Sequence, residues 1–436
     1  MKITLFLPGL GNGGAERVFI NLYKYLLKEQ IQVELVCSTC KGALKNNVNI
    51  KVIYLGSSYG YMSFYRYHRY LNKRKPDVVI ATLSSSIIIA ALTKYVFKKQ
   101  SYKLICRIAN IYQKPSSIFG ALKIFLHKKA IDIADGIIAN SLATMASISE
   151  ILDANMEGKL TRIISNPVLE DEFLEKRRLI NLNKTIKDQN HKIIVLIGRL
   201  VPQKRIDHAI KAFSLIQNKV RSCKLVIVGD GPEKDSINNL IKKYEVTESV
   251  VLVDYCDNIP KLLSESDCMI STSKYEGFGN VLIEGVTYCD NVISYKSKGG
   301  ASEILPPTKA ILVEDGNIIK LSESILEALT NVSSRKLASD DYLSNFTLSK
   351  VGYEYLRFLK KYIVTVDIKK VVVIGSGTMG SGIAAQVANA GISVVLLDLP
   401  SKEGDRNLIT NKAKEKIIKS RPPLLFEKNN RTPPGS

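Results

Sequence analysis

No apolar run in this 436-residue chain is long and uninterrupted enough to cross a bilayer. The longest, VVIATLSSSIIIAALTKYVF at 78–97, is broken by serines and Lys94 and reads as a buried strand followed by a helix. The apolar stretch in MKITLFLPGLGNGG is too short for a signal peptide and reads as a first strand, so a cytoplasmic protein is expected. Cysteine offers no framework either: seven residues, an odd number scattered over a long chain, argue for reduced thiols. Cys37 and Cys40 form a CxxC, but no second pair or nearby histidine completes a zinc site, and a chance spacing at a strand end is preferred to redox chemistry. Nothing resembles a nucleic-acid module, and the aromatic residues form no stacking motif among the basic ones, so no nucleic-acid partner is expected.

What the chain does have is positive charge, unevenly spread. Of the net +21, residues 1–180 carry +13, residues 181–362 carry +3 and residues 363–436 carry +5. The excess reads either as one basic face suited to an anionic membrane or as a lysine-rich composition. The helices YRYHRYLNKRK (65–75) and KIFLHKK (123–129) interleave apolar residues with Lys and Arg. They fit an ordinary surface helix or peripheral docking on the inner face of the membrane, and their His68 and His127 read as solvated.

Strand and helix signals alternate along most of the chain. KITLFLPG, IQVELVCS, VNIKVIYL, PDVVIAT, YKLICRI and ADGIIANS are strand candidates, and GGAERVFINLYKYLLKEQ is a glycine-started amphipathic helix. Residues 181–191, NLNKTIKDQNH, are polar and aperiodic, like a hinge. The pattern then restarts with KIIVLIGRL, helix 205–217, CKLVIVGDG, helix 233–244, SVVLVDY, helix 258–264 and DCMISTS, and helix 348–363 closes this stretch. The expected fold is α/β: two doubly wound domains, 1–180 and 192–362, facing a cleft at the carboxyl ends of their strands. A third restart gives a C-terminal β–α–β unit over 363–436, ending in a disordered-looking NNRTPPGS.

The densest polar set lies in the second domain, at its strand ends: GRLVPQK (198–204), VGDGPE (228–233) and SKYEGFGNVLIEG (273–285). A glycine turn lets backbone amides approach a phosphate, and the helix N-terminus that follows favours negative charge. Arg199 and Lys204 are placed to pair with a diphosphate. Glu276 falls in a loop and Glu284 on the following helix. Eight helical residues span about 12 Å, comparable to the two ends of a folded nucleotide sugar, and carboxylates suit sugar hydroxyls. Taken singly, each element could be a solvated loop or helix face.

In the order GNGGAERV, SNPV (165–168), GRLVPQK, GDGPE and EGFGNVLIE, residues 1–362 resemble a family 4 glycosyltransferase of the retaining, GT-B kind. The resemblance implies transfer of a sugar from a nucleotide-diphosphate donor, with UDP as the prior, to a cell-envelope or lipid-linked glycan, without a required cofactor or metal. The absence of a DxD motif agrees. It implies that Gly13 and Gly14 shape the loop near donor and acceptor, and that Gly198, Arg199, Lys204 and Gly229 hold the diphosphate. It further implies that Glu276 contacts the donor sugar, that Glu284 takes the ribose hydroxyls, and that Phe278, Gly279, Asn280 and Val281 complete the phosphate cradle. Arg199, Lys204 and Glu276 are the expected catalytic residues. Relatives carry a histidine where this chain reads RIAN, so Arg107 and Asn110 stand on the acceptor side, with acceptor activation left to Asn110 or to the leaving phosphate.

The tail motif VVVIGSGTMGSG follows an apolar strand and opens a helix. Gly375 makes the turn, Gly377 would admit a pyrophosphate, with Thr378 and Met379 beside it, and Gly380 allows close helix–strand packing. Asp398, 18 residues on, would take the ribose hydroxyls of NAD. Residues 365–428 resemble the start of a 3-hydroxyacyl-CoA dehydrogenase, whose catalytic His and Glu lie beyond the first β–α–β unit. A truncated, unproductive NAD-binding fragment is therefore expected. The rival readings are a surviving NAD-binding dehydrogenase fragment and an inactive fusion product.

Overall fold

The computed structural model describes residues 1–11, 13–40, 50–57, 63–97, 101–183, 192–220, 222–254, 256, 258–330, 337–362, 369–402, 404–420 and 424. Most of the expected hinge and the NNRTPPGS end lie outside these residues. The chain forms two compact units, Met1–Tyr362 and Ile363–Ser436.

The first half of the large unit reads β1 (Lys2–Leu7), α1 (Gly14–Lys28), β2 (Gln32–Cys37), β3 (Val52–Tyr54), α2 (Phe64–Arg74), β4 (Val78–Thr82), α3 (Ser84–Val96), β5 (Lys103–Ile108), α4 (Ile118–Ile133), β6 (Gly136–Ala139), α5 (Leu142–Leu152), β7 (Leu160–Ile163) and α6 (Phe173–Asn183). Its strands make one parallel seven-stranded sheet in the order β3-β2-β1-β4-β5-β6-β7. The order reverses between β1 and β4, and the loops beyond those carboxyl ends face the second half, as open parallel sheets dictate. The central strand β4, VVIAT, is buried along its whole length because helices cover both faces of the sheet.

The second half contains β8 (Lys192–Ile197), α7 (Ile206–Ser214), β9 (Cys223–Val228), α8 (Lys234–Lys243), β10 (Val250–Val253), α9 (Ile259–Glu265), β11 (Cys268–Ser271), β12 (Tyr275–Glu276), α10 (Asn280–Tyr288), β13 (Val292–Tyr295), β14 (Lys298–Gly299), α11 (Gly300–Ile304), β15 (Ile311–Val313), α12 (Ile318–Thr330), α13 (Asp340–Ser344) and α14 (Leu348–Lys360). Six strands form a parallel sheet in the order β10-β9-β8-β11-β13-β15, and β12 pairs with β14 beside it.

Helix α14 leaves the second half and joins the core of the first. Val351, Tyr355, Leu356, Phe358 and Leu359 are buried with Phe19, Leu22 and Leu26 of α1. Each fully buried side chain of this size contributes about 1.5–3 kcal/mol. The two helices meet where Gly352 has no side chain: a Cβ there would lie 2.4 Å from the Tyr25 ring. So α14 does not close the second half alone; it ties it to the first.

The small unit contains β16 (Lys370–Ile374), α15 (Thr378–Asn389), β17 (Ser393–Leu397) and α16 (Leu408–Ile418), with β16 and β17 parallel. Among its described residues the buried apolar ones are few: Val373, Ala384, Ala385 and Ile417.

Candidate active site

Every polar group expected at the donor site follows a strand of the second sheet. Strand β8 ends at Ile197; Gly198 follows, Arg199 is exposed, and a short 3-10 turn, Pro202–Lys204, carries Lys204 back under the loop. Gln203 Nε2 donates to the Tyr275 carbonyl at 2.7 Å, and Thr272 Oγ1 donates to the Lys204 carbonyl at 2.7 Å. These bonds stitch the two loops together, so that Lys204 Nζ forms an ion pair with Glu276 Oε1, which also accepts from Ser273 Oγ at 2.7 Å. Strand β9 ends at Gly229, whose backbone crosses that of Gly198.

The loop into α10 has no room for a side chain at Gly277 or Gly279. A Cβ on Gly277 would lie 2.0 Å from the Ala109 carbonyl oxygen, across the cleft, and Gly279 caps α10 at φ +88, a conformation that favours glycine. Phe278 is buried against Phe346 and anchors the loop from below, while Val281 is half-buried in the first turn. The N-terminus of α10 therefore opens on the cleft, where a Cβ on Gly14 would lie 2.9 Å from Asn280 Nδ2. Glu284 stands one turn further on, beside Arg17 of α1 at 3.7 Å. Burial pushes its carboxyl up to about 7, opposed by Arg17. Glu16, also in the first turn of α1, is likewise raised by burial and drawn down by Arg199 and Arg107.

Two expectations for the first half are corrected here. Arg107 is fully buried, not on an acceptor surface. Its guanidinium donates to Tyr355 Oη at 2.9 Å, Thr82 Oγ1 at 3.1 Å and Asn166 Oδ1 at 2.6 Å. Asn166 Nδ2 in turn donates to Asn280 Oδ1 at 2.7 Å. A buried charge needs every donor satisfied, and here the chain of bonds runs from α14 to the mouth of α10. Asn110, by contrast, is exposed beside Gly277. The second correction is His127, which is buried rather than solvated: it shares a 2.6 Å hydrogen bond with Tyr112 Oη, and burial lowers it to about 4. His68 is half-buried and stacked on Phe97.

Sequence reasoning assigned no role to Asn166, although it sits in the SNPV motif, and overlooked Arg17, Ser273 and Glu303. Glu303 of α11 accepts from the Leu142 and Ala143 amides at 2.8 Å, capping α5 from across the cleft.

Residues 12–171 match the family described as Glycosyltransferase Family 4, and residues 178–340 match Glycosyl transferases group 1. The body of the chain belongs to these glycosyltransferases. Among relatives of this glycosyltransferase, the poly(ribitol-phosphate) alpha-N-acetylglucosaminyltransferase of Staphylococcus aureus is 33% identical over 33% of this chain and 29% of its own length. The chain thus spans under a third of that relative. The amylovoran biosynthesis glycosyltransferase of Erwinia amylovora is 26% identical over 79% of this chain and 92% of its own. The N-acetylgalactosamine-N,N'-diacetylbacillosaminyl-diphospho-undecaprenol 4-alpha-N-acetylgalactosaminyltransferase of Campylobacter jejuni is 24% identical over 82% of this chain and 99% of its own. In fold, the chain is similar to Anabaena HepE in complex with UDP and glucose, at TM-score 0.67 and 18% identity, covering 83% of this chain and 100% of that one. Two facing doubly wound domains are the GT-B fold, as expected.

Residues 370–428 match the NAD binding domain of 3-hydroxyacyl-CoA dehydrogenase. Gly375 has φ +97, and a Cβ on Gly380 would lie 1.8 Å from the Gly375 carbonyl oxygen, so turn and packing glycines are where a dinucleotide turn needs them. Gly377 caps α15, and Met379 on its first turn is exposed. Asp398 accepts from the Ser376 amide at 2.6 Å and from its hydroxyl, and these hydrogen bonds hold its carboxyl below the usual carboxylate range.

Proposed function

We propose that the body of the chain is a retaining glycosyltransferase that moves a sugar from a UDP-sugar to a cell-envelope or lipid-linked glycan. The observation that carries this reading is the convergence of Lys204, Glu276, the α10 N-terminus and Glu284 on one side of the cleft, opposite the Gly13–Gly14 turn. The uridine nucleotide is supported by the UDP that HepE binds, and the acceptor class by relatives that act on poly(ribitol-phosphate), on a diphospho-undecaprenol-linked glycan and in amylovoran biosynthesis.

In this reading Lys204 and Glu276 hold each other until the donor arrives. The diphosphate then replaces the carboxylate as partner of Lys204, Arg199 adds a second cation, and the α10 amides receive the remaining phosphate oxygens. Glu276, released, accepts hydrogen bonds from the sugar hydroxyls, and Glu284 takes the ribose hydroxyls. The bond from the anomeric carbon to the phosphate oxygen breaks while the acceptor oxygen bonds to the same face. The acceptor proton passes to the departing phosphate oxygen, so neutralising the leaving charge supplies most of the rate.

For the second unit we infer no dehydrogenase activity: two paired strands with their helices do not make a whole dinucleotide crevice. Incubating the full chain with UDP-sugars and an undecaprenyl-diphosphate-linked sugar, and reading the new linkage by NMR, tests the main proposal. An α-linkage from an α-donor supports it; an inverted linkage or no transfer from any UDP-sugar overturns it.

A further inference from the structure

Helix α4 is apolar on two faces and packed on only one. His127, Ala130 and Ile131 are buried against the sheet, with Ile124 half-buried. On the opposite side Ile118 is 87% exposed, Phe119 85%, Leu122 53% and Phe125 53%. A helix hydrophobic all round is ordinarily covered all round, and an uncovered stripe with two phenylalanines marks a docking surface. Neighbouring α3, packed on α4, also exposes Leu92, Tyr95 and Val96.

The charge around the stripe says what covers it. Residues 1–180 carry 26 Lys and Arg against 13 Asp and Glu, and α4 itself carries Lys123, Lys128 and Lys129 against one carboxylate, Asp132, with Lys128 paired to Asp153. A lysine-rich composition alone does not account for this, because residues 181–362 are nearly balanced at 25 basic and 22 acidic. On α4, Lys123 and Lys129 are exposed beside the apolar side chains, and Lys129 Nζ lies 5.7 Å from the centre of the Phe125 ring. Aromatic and aliphatic groups that enter the acyl boundary, ringed by cations that meet headgroups, are what an interfacial helix requires. A second copy of this chain would bring like charges together across the same face. We propose that the α3–α4 face of the first domain seats on an anionic lipid bilayer, with Phe119, Leu122 and Phe125 inserted and the lysines at headgroup level. The basic helix α2, by contrast, buries Tyr67, Tyr70 and Leu71 in the core and offers Tyr65 as its exposed large apolar residue.

The chain contains no tryptophan, so Phe119→Trp creates a single fluorescent reporter on the full-length protein. Phosphatidylcholine vesicles containing phosphatidylglycerol should shift its emission to the blue, and pure phosphatidylcholine should not. Phe119→Ser with Phe125→Ser should weaken vesicle sedimentation on the order of a hundredfold and leave Tm unchanged, because both rings are exposed. No shift with anionic vesicles overturns the proposal, and equal response to both vesicle types overturns the anionic assignment. A blue shift that grows with protein concentration in the absence of vesicles would reassign the face to self-association. Nucleotide binding enters none of these outcomes.

Discussion

Two glycine-rich turns in this chain each lead from a loop into a helix N-terminus, in very different surroundings. In the body, every glycine from 277 to 300 presses on something: Gly277 on the Ala109 carbonyl, Gly299 on that of Glu276, Gly300 on that of Phe278. The cations and carboxylates around them hold one another in place. In the tail, a Cβ on Gly377 or Gly382 would meet nothing within 4 Å, and Val372, Ile374, Met379 and Leu399 are exposed. The body turn, entered through the left-handed Gly279, is packed from several directions, whereas the tail turn, entered through the extended Gly377, is open at Gly377 and Gly382.

That contrast can be broken at Lys204 first. Removing the cation at the proposed diphosphate by Lys204→Ala should lower transfer about 10²–10³-fold, as loss of one charge-stabilising group typically does, read as initial rates at saturating donor. Next, Arg107→Met should cost about 3 kcal/mol or more in urea unfolding, because Tyr355, Thr82 and Asn166 lose a shared buried partner. It should also weaken UDP binding by freeing Asn280. Gly277→Ala should cost about 1–3 kcal/mol by forcing the loop off Ala109, whereas Gly377→Ala should stay within about 0.5 kcal/mol; paired melting curves of the two variants decide this directly.

One further effect depends on pH and vanishes in acid. Glu284 is raised to about 7 from 4.5, so the unfolded chain releases this proton first. The folded state therefore bears a penalty that begins near pH 4.5, grows with pH and is complete above about 7. Glu284→Gln should raise stability at pH 8 by about 2–3 kcal/mol at most, with the gain vanishing toward pH 4.5. Urea unfolding at the two pH values checks the sign.

Much of this architecture was legible because its determinants are local. The alternation of apolar strands with amphipathic helices located both sheets, and EGFGNVLIE put Glu284 on a helix, as the structure has it, whereas Glu276, expected in a loop, ends the two-residue strand β12. Boundaries drifted where ends fray: the helix expected over 205–217 ends at Ser214. What could not be read was pairing across the cleft. RIAN looks like a surface stretch until Tyr355, nearly 250 residues on, packs over Arg107. Likewise His127 lies among lysines in sequence, but the turn of α4 points it at the sheet while its apolar neighbours face outward.

The most direct test is calorimetric titration of the full chain with UDP, GDP and NAD, repeated on Glu284→Ala. UDP should bind the native chain, with affinity falling at least about tenfold in the variant through loss of the ribose contact, and GDP should bind more weakly. Binding of NAD alone, or UDP binding indifferent to Glu284, would contradict a nucleotide-sugar site in the body of the chain.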